Sequence, residues 1–89
     1  MVTSDRSDPG AAIEVLIAHS GLSEEVVVVE WFVGDGQMVG AGNPLVLIES
    51  EKTEIEIDAP AAGTLEIVVA ASDKEVAVGS TIGRIWPNR

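Results

Sequence analysis

The sequence predicts an all-β fold, a flattened barrel or sandwich of two small antiparallel sheets with internal pseudo-two-fold symmetry. Hydrophobic residues make up 46% of the chain and aromatic residues only 3%. Valine, isoleucine, leucine and alanine therefore have to fill the core, and β-branched residues at this density favour strands. Short apolar runs alternate with turns that contain Gly, Pro, Asn or Asp, as in small all-β domains.

The third observation behind this prediction is an internal repeat. A shift of 37 residues aligns Val39 with Val76, Gly42 with Gly79, Leu45 with Ile82 and Ile48 with Ile85. Each half then consists of a strand, a turn, a short strand, a glycine turn and a strand, which predicts two similar sheets packed face to face. The strand ending at Ile48 continues into a hairpin, whereas its counterpart reaches the end of the chain. We therefore expect that hairpin and the termini to lie at opposite ends.

The predicted strands follow from runs of apolar and β-branched residues between turn residues. Ser23 and the acidic residues after it resemble a helix start, but the four valines that follow are poor helix formers and favour a strand. Residues 1–11 are predicted to be a disordered lead or linker, 12–87 the folded domain and 88–89 a tail. The strands are predicted at 13–18, 26–33, 38–39, 44–48, 55–58, 64–69, 75–77 and 81–86.

Composition excludes several classes of function. The formal net charge of −10 opposes binding to nucleic acid and to anionic membranes, and favours partners with basic patches. There is no cysteine, so disulfides and thiolate metal sites are absent. His19 is the single histidine, and we assign it neither a metal site nor a catalytic triad. No segment resembles a transmembrane span or a signal peptide, so we expect a cytoplasmic protein. We also expect it to be monomeric as an isolated domain.

The hairpin after Ile48 holds the candidate functional residue. A strand that ends at Ile48 and another that begins at Ile55 are joined by few residues, so Lys52 is predicted at or beside the tip. A lysine at a tip can be reached by the active site of another protein, as covalent attachment requires. A plain solvated turn residue is the alternative interpretation of Lys52 alone.

The chain resembles the lipoyl/biotinyl carrier domain family, and more closely its lipoyl branch. The resemblance covers about residues 12 to 86. Pro60 and Gly63 follow Lys52 at the same spacing as the proline and glycine that follow the modified lysine in the lipoyl branch. Biotinyl domains usually have methionine on both sides of the lysine, where this chain has Glu51 and Thr53. The motifs that carry the resemblance are 31–39, 42–45, 48–53, Ala59-Pro60 with Gly63, and 76–79.

The resemblance implies a non-catalytic carrier domain of a 2-oxo acid dehydrogenase complex, with lipoate in amide linkage on Lys52. Glu51 and Thr53 would flank the lysine for recognition by a lipoate ligase or lipoyl transferase. The implied partners are a thiamine-dependent 2-oxo acid decarboxylase, an acyltransferase core and a dihydrolipoyl dehydrogenase. The protein would move and present the cofactor rather than perform the chemistry itself.

Three alternatives stay open. Within the family, the chain could be a biotin carboxyl carrier, with biotin on Lys52. It also resembles the carrier protein of glycine cleavage through Glu49-Ser50 and the lysine that follows, but that family is longer and has additional helices. Outside the family, the chain could be an unmodified β-sandwich interaction module.

Two departures and several side chains lead to further expectations. Lipoyl domains often have glycine where Val26 stands, so we expect the contact at that sheet edge to differ from theirs. Asp73 replaces the glycine usual in the second turn, and Asp tolerates left-handed backbone well enough to keep that turn. We further expect four acidic residues of the hairpin to steer it towards basic docking surfaces, with plain solubility as the alternative. These residues are Glu49, Glu51, Glu54 and Glu56.

Other candidate residues receive no functional assignment. Lys74 lies in a turn without a comparable hairpin, and we expect it to stay unmodified. Trp31 and Trp86 are expected to pack at the core or its rim, because so small a sandwich leaves little room for a ligand pocket. Asp35, Asp58 and Glu66 are on separate elements, which gives no support for a paired-carboxylate hydrolase site.

Overall fold

The computed structural model describes residues 11–17, 25–51 and 53–87. All regular structure in these residues is β-strand, as the sequence predicts. Predictions for the lead, for His19, for Lys52 and for the tail 88–89 lie outside the described residues. The eight strands are β1 (Ile13–Leu16), β2 (Glu25–Trp31), β3 (Met38–Val39), β4 (Pro44–Glu49), β5 (Glu54–Asp58), β6 (Gly63–Ile67), β7 (Glu75–Ala77) and β8 (Thr81–Trp86).

The strands form two four-stranded sheets, which confirms the predicted fold class. Sheet 1 has the order β1-β8-β6-β3 and sheet 2 the order β5-β4-β2-β7. All neighbouring strands in both sheets are antiparallel. Strands β4 and β8 match residue for residue under the shift of 37. The same shift relates β2 to β6 and β3 to β7, so three strands of each sheet follow the same order, and β1 and β5 take the remaining edge position.

The core lies between the sheets and contains no buried aromatic residue among those described. Burial alternates along β5 and β6, as expected for strands of a two-layer sandwich, whereas two consecutive residues are buried in β4 and in β8. Burial of these aliphatic side chains supplies the main stabilising term for so small a domain. The buried apolar residues are Val15, Ile17, Val26, Val28, Val39, Leu45, Val46, Ile48, Ala59, Leu65, Ile82 and Ile85.

A β-bulge at Val29 decides which side of β2 faces the core. Val28 pairs with Ile48, but the next pair joins Glu30 to Leu47, so Val29 has no partner of its own. Without the bulge, the alternation that buries Val26 and Val28 would also turn Glu30 inward. With it, Val29 and Glu30 are both exposed and Trp31 is half-buried.

Trp31 joins the two sheets. Its indole Nε1–H, from sheet 2, donates a hydrogen bond of 2.9 Å to the carbonyl of Val69, just after β6 of sheet 1. Its ring lies over Gly83 of β8, where an added Cβ would stand 3.0 Å from Trp31 Cη2. Trp31 therefore packs against the core, as predicted, with its polar edge satisfied. Trp86 lies at the surface and is 43% exposed.

The structure resolves the two departures from the usual pattern. Val26 is 2% exposed and belongs to the core, so the position often taken by glycine here adds packing. Asp73 does not keep a left-handed turn, because no described residue other than glycine has positive φ. In the first turn Gly36, with φ of 86°, donates its N–H to Leu65, whereas in the second turn Ser72 donates to Val28. The second turn therefore makes the equivalent contact one residue earlier and needs no left-handed residue.

Candidate functional site

The candidate site is the bend that joins β4 to β5. The last paired residues of the two strands are Glu49 and Glu54, so residues 50–53 form the whole connection. The N–H of Ser50 donates to the carbonyl of Thr53 over 2.8 Å, which extends the ladder by one step. Only Glu51 and Lys52 then lie between the bonded residues, so the bend is as tight as a two-residue hairpin loop.

The residues on both sides of Lys52 are accessible. Lys52 itself lies outside the described residues, and its predicted place at the tip stays a prediction. Glu51 and Thr53, predicted to flank it for recognition, are both exposed. A partner enzyme could thus contact the chain immediately before and after the lysine.

Carboxylates surround the bend. All four acidic residues of the predicted steering set, Glu49, Glu51, Glu54 and Glu56, are exposed, and Glu49 and Glu54 face each other across the hairpin. Within the described chain, no lysine or arginine forms an ion pair with any of these four. These four carboxylates therefore face solvent, where salt screens their negative field over a Debye length of about 8 Å at physiological ionic strength.

Two further glutamates, which had no predicted role, lie at the same end of sheet 2. Val27 of β2 pairs with Glu49 on one side and with Glu75 on the other, and the next outward-facing residue of β2 is Glu25. They border an open groove of about 510 Å³ beside the bend. Its lining residues are Glu25, Val26, Val27, Glu49, Ser50, Glu51 and Glu75. No local pattern in the sequence places Glu75 beside Val27, because β2 and β7 are far apart along the chain.

Ser50 is a third residue of this end without a predicted role. It is 9% exposed and is the buried polar side chain of the described residues. Its Oγ accepts the N–H of Thr53 at 3.3 Å and donates to the carbonyl of Thr53 at 3.4 Å. In the sequence nothing separates it from other solvated turn residues, since serine is common in turns.

The remaining candidates are not brought to this bend. Lys74 is exposed, and its N–H donates to Ser72 Oγ at 3.1 Å in the turn before β7. Asp35 accepts a hydrogen bond of 2.7 Å from the N–H of Ile67. Glu66 accepts one of 2.8 Å from Trp86 Nε1–H and forms a salt bridge of 3.5 Å with Arg84. No group of three or more His, Asp or Glu residues suited to a metal ion occurs in the described segments. Those segments also contain no helix that could cross a membrane.

Comparison with known proteins adds a family to this geometry. Residues 14–85 match the model of the Biotin_lipoyl family, described as "Biotin-requiring enzyme". The match includes all of the bend and both sheets except the first residue of β1 and the last residue of β8.

Curated relatives are acyltransferase components of dehydrogenase complexes. The chain is 35% identical over 77 residues to the dihydrolipoyllysine-residue acetyltransferase component of pyruvate dehydrogenase complex from Corynebacterium glutamicum, covering 85% of this chain and 11% of that protein. It is 36% identical over 84 residues to the Mycobacterium bovis component of the same name, covering 93% and 15%. Against the dihydrolipoyllysine-residue succinyltransferase component of 2-oxoglutarate dehydrogenase complex from Rickettsia bellii, identity is 31% over 74 residues, covering 82% and 18%. The chain therefore spans less than a fifth of the length of each of these relatives.

Proposed function

This chain belongs to the biotin/lipoyl attachment family, and on that premise we propose that it is a lipoyl carrier domain with lipoate in amide linkage on Lys52. It serves as the swinging-arm domain of a 2-oxo acid dehydrogenase complex. The observation that carries the proposal is the tight bend at residues 50–53, within a family match that covers 14–85. The relatives named as dihydrolipoyllysine components support lipoate over biotin.

The residues of the bend fit an amide-linked cofactor. A primary amine is the group that forms an amide with a carboxylic acid, and Lys52 supplies one between two exposed residues. The described surface beside the bend is an open groove rather than an enclosed pocket, so a long flexible arm would stay free to leave the domain. When bound, lipoate supplies a dithiolane that accepts an acyl group together with two electrons.

The part played by the protein is presentation. Antiparallel strands β4 and β5 hold the bend at one end of sheet 2, and the chain itself contributes no acid, base or nucleophile to the transfer. Tethering replaces a bimolecular encounter by an effectively intramolecular one, which raises the local concentration of the arm at each partner. The proposed partners are a lipoate ligase or lipoyl transferase, a thiamine-dependent decarboxylase, an acyltransferase core and a dihydrolipoyl dehydrogenase.

The proposal is tested by the mass of the intact protein after reaction with lipoate, ATP and a lipoate ligase. We expect one lipoyl group per chain on the wild type and none on Lys52→Arg. Lys74→Arg is the matched control, because Lys74 is the other lysine of the chain and lies in an exposed turn. This variant should be modified at the wild-type rate.

Parallel reactions with biotin and a biotin ligase separate the alternatives. Exclusive biotinylation of Lys52 would replace this proposal by the biotin carrier. Absence of either modification on the folded wild type would favour the unmodified interaction module. Modification of Lys52→Arg at another position would contradict the assignment of the site.

A further inference from the structure

The bend is closed by a side chain as well as by the main chain. A serine hydroxyl has one proton to donate and two lone pairs to accept with. Ser50 Oγ uses both capacities on Thr53, with its carbonyl at 3.4 Å and its N–H at 3.3 Å. Together with the main-chain bond of 2.8 Å from Ser50 N–H to the same carbonyl, three hydrogen bonds join the residues on either side of Glu51 and Lys52.

Ser50 points in the opposite direction from its neighbours. Glu49, Glu51 and Thr53 are exposed, while Ser50 is 9% exposed and lies with Val26 and Val27 in the lining of the groove. A buried hydroxyl is costly unless it is hydrogen-bonded, so this orientation is stable because Thr53 satisfies it. The base of the bend is thereby closed between Ser50 and Thr53, on either side of the two residues that connect them.

We propose that Ser50 is a positioning residue for modification of Lys52: its buried hydroxyl ties Thr53 to the scaffold and so sets how the bend enters the active site of the modifying enzyme. This inference rests on the proposed function. A misplacement of about 1 Å between reacting groups can cost about a hundredfold in rate. Loosening the base of a two-residue bend should therefore be visible in the efficiency of modification even where the fold is unchanged.

The test compares Ser50→Ala and Ser50→Thr in the full chain. Alanine fits the space but removes both hydroxyl bonds, whereas threonine keeps the hydroxyl. We expect Ser50→Ala to keep the amide protection of β4 and β5 but to exchange the Thr53 amide proton about fivefold faster, the effect of losing one modest hydrogen bond. Modification by a lipoate ligase should lose about tenfold in kcat/KM, mainly through KM, as expected when the amine is presented less often in the productive geometry. Ser50→Thr should restore most of this loss.

Ser72→Ala is the matched control. Ser72 Oγ accepts an amide N–H two residues on, at 3.1 Å, beside the other lysine of the chain. Its loss should leave modification of Lys52 unchanged. Wild-type kcat/KM in Ser50→Ala, or failure of Ser50→Thr to restore it, would overturn the inference while the proposed function stands. A folded wild type that the ligase does not modify would overturn both.

Discussion

The two ends of this molecule are built on the same strand plan and have opposite surfaces. At the bend, three neighbouring residues across sheet 2 are Glu49, Val27 and Glu75. The shift of 37 converts them into the three neighbours across sheet 1 at the other end, which are Trp86, Thr64 and Met38. Two exposed carboxylates beside the bend thus correspond to two exposed apolar side chains, 43% and 70% accessible. Since the repeat fixes the scaffold, the surface chemistry at these positions is free to differ between the two ends.

The inward-facing residues at the same two ends differ in a second way. Val26 and Gly63 are equivalent under the repeat, and each pairs with an equivalent partner, Val76 and Val39. Val26 fills the core, whereas a Cβ on Gly63 would stand 2.3 Å from the carbonyl oxygen of Trp86 and 2.9 Å from Ile85 Cγ2. Position 26 therefore contributes a side chain to the core, whereas at position 63 the strands β6 and β8 lie too close together for any side chain.

The largest expected effect comes from making these two positions alike. Gly63→Val should lower the free energy of unfolding by about 3 kcal/mol, because the backbone of Trp86 cannot give way as a flexible side chain would. Val26→Ala removes two buried methyl groups and should cost about 2 kcal/mol. Urea denaturation monitored by Trp fluorescence, with equal m-values, measures both. A Gly63→Val protein as stable as the wild type would mean that the end of β8 is not held at this distance.

The second prediction concerns the exposed glutamates beside the bend. If the acidic residues steer the hairpin as we expect, Glu51→Lys with Glu54→Lys should slow modification by a lipoate ligase and reductive acylation by the proposed decarboxylase partner about tenfold at low ionic strength, because two negative charges beside the bend are replaced by two positive ones. The difference should shrink as added salt screens exposed charges. Rates are measured at low and high salt on the same preparations.

The control pair for this experiment carries the same change of charge away from the bend. Glu30 and Asp58 are exposed residues of sheet 2 and lie towards the other ends of β2 and β5. Glu30→Lys with Asp58→Lys should leave both rates near those of the wild type. Equal rates for the hairpin variant and the wild type at low salt would show that the carboxylates serve solubility alone.

Much of the fold follows from local pattern. The strands on each side of the bend are visible because Ile55 and Ile57 alternate with acids, and the repeat locates the glycine turns. The bulge at Val29 is not visible, because a run of four valines gives no signal for which one leaves the ladder. The place of Gly63 against Trp86 depends on a contact between residues 23 positions apart, which no local pattern encodes.

The candidate site was predictable to a similar depth. The bend and its exposed acids follow from two strands joined by few residues. Glu25 and Glu75 reach the bend through the pairing of β2 with β7, a long-range contact between segments that carry no common motif. The inward orientation of Ser50 depends on hydrogen bonds to Thr53, and a serine among acids looks like any other solvated turn residue in the sequence.

The smallest expected effect concerns the two turns that differ by one residue. Gly36 has φ of 86° with no atom within 4 Å of an added Cβ, so Gly36→Ala meets only the backbone cost of a left-handed conformation, about 1 kcal/mol. Asp73, its equivalent, is exposed and has no positive φ, so Asp73→Ala should change the free energy of unfolding by less than about 0.5 kcal/mol. Denaturant midpoints of the two variants decide this. Equal losses of unfolding free energy would mean that both turns need a left-handed residue. That result would contradict the one-residue offset between the hydrogen bond from Gly36 to Leu65 and the one from Ser72 to Val28.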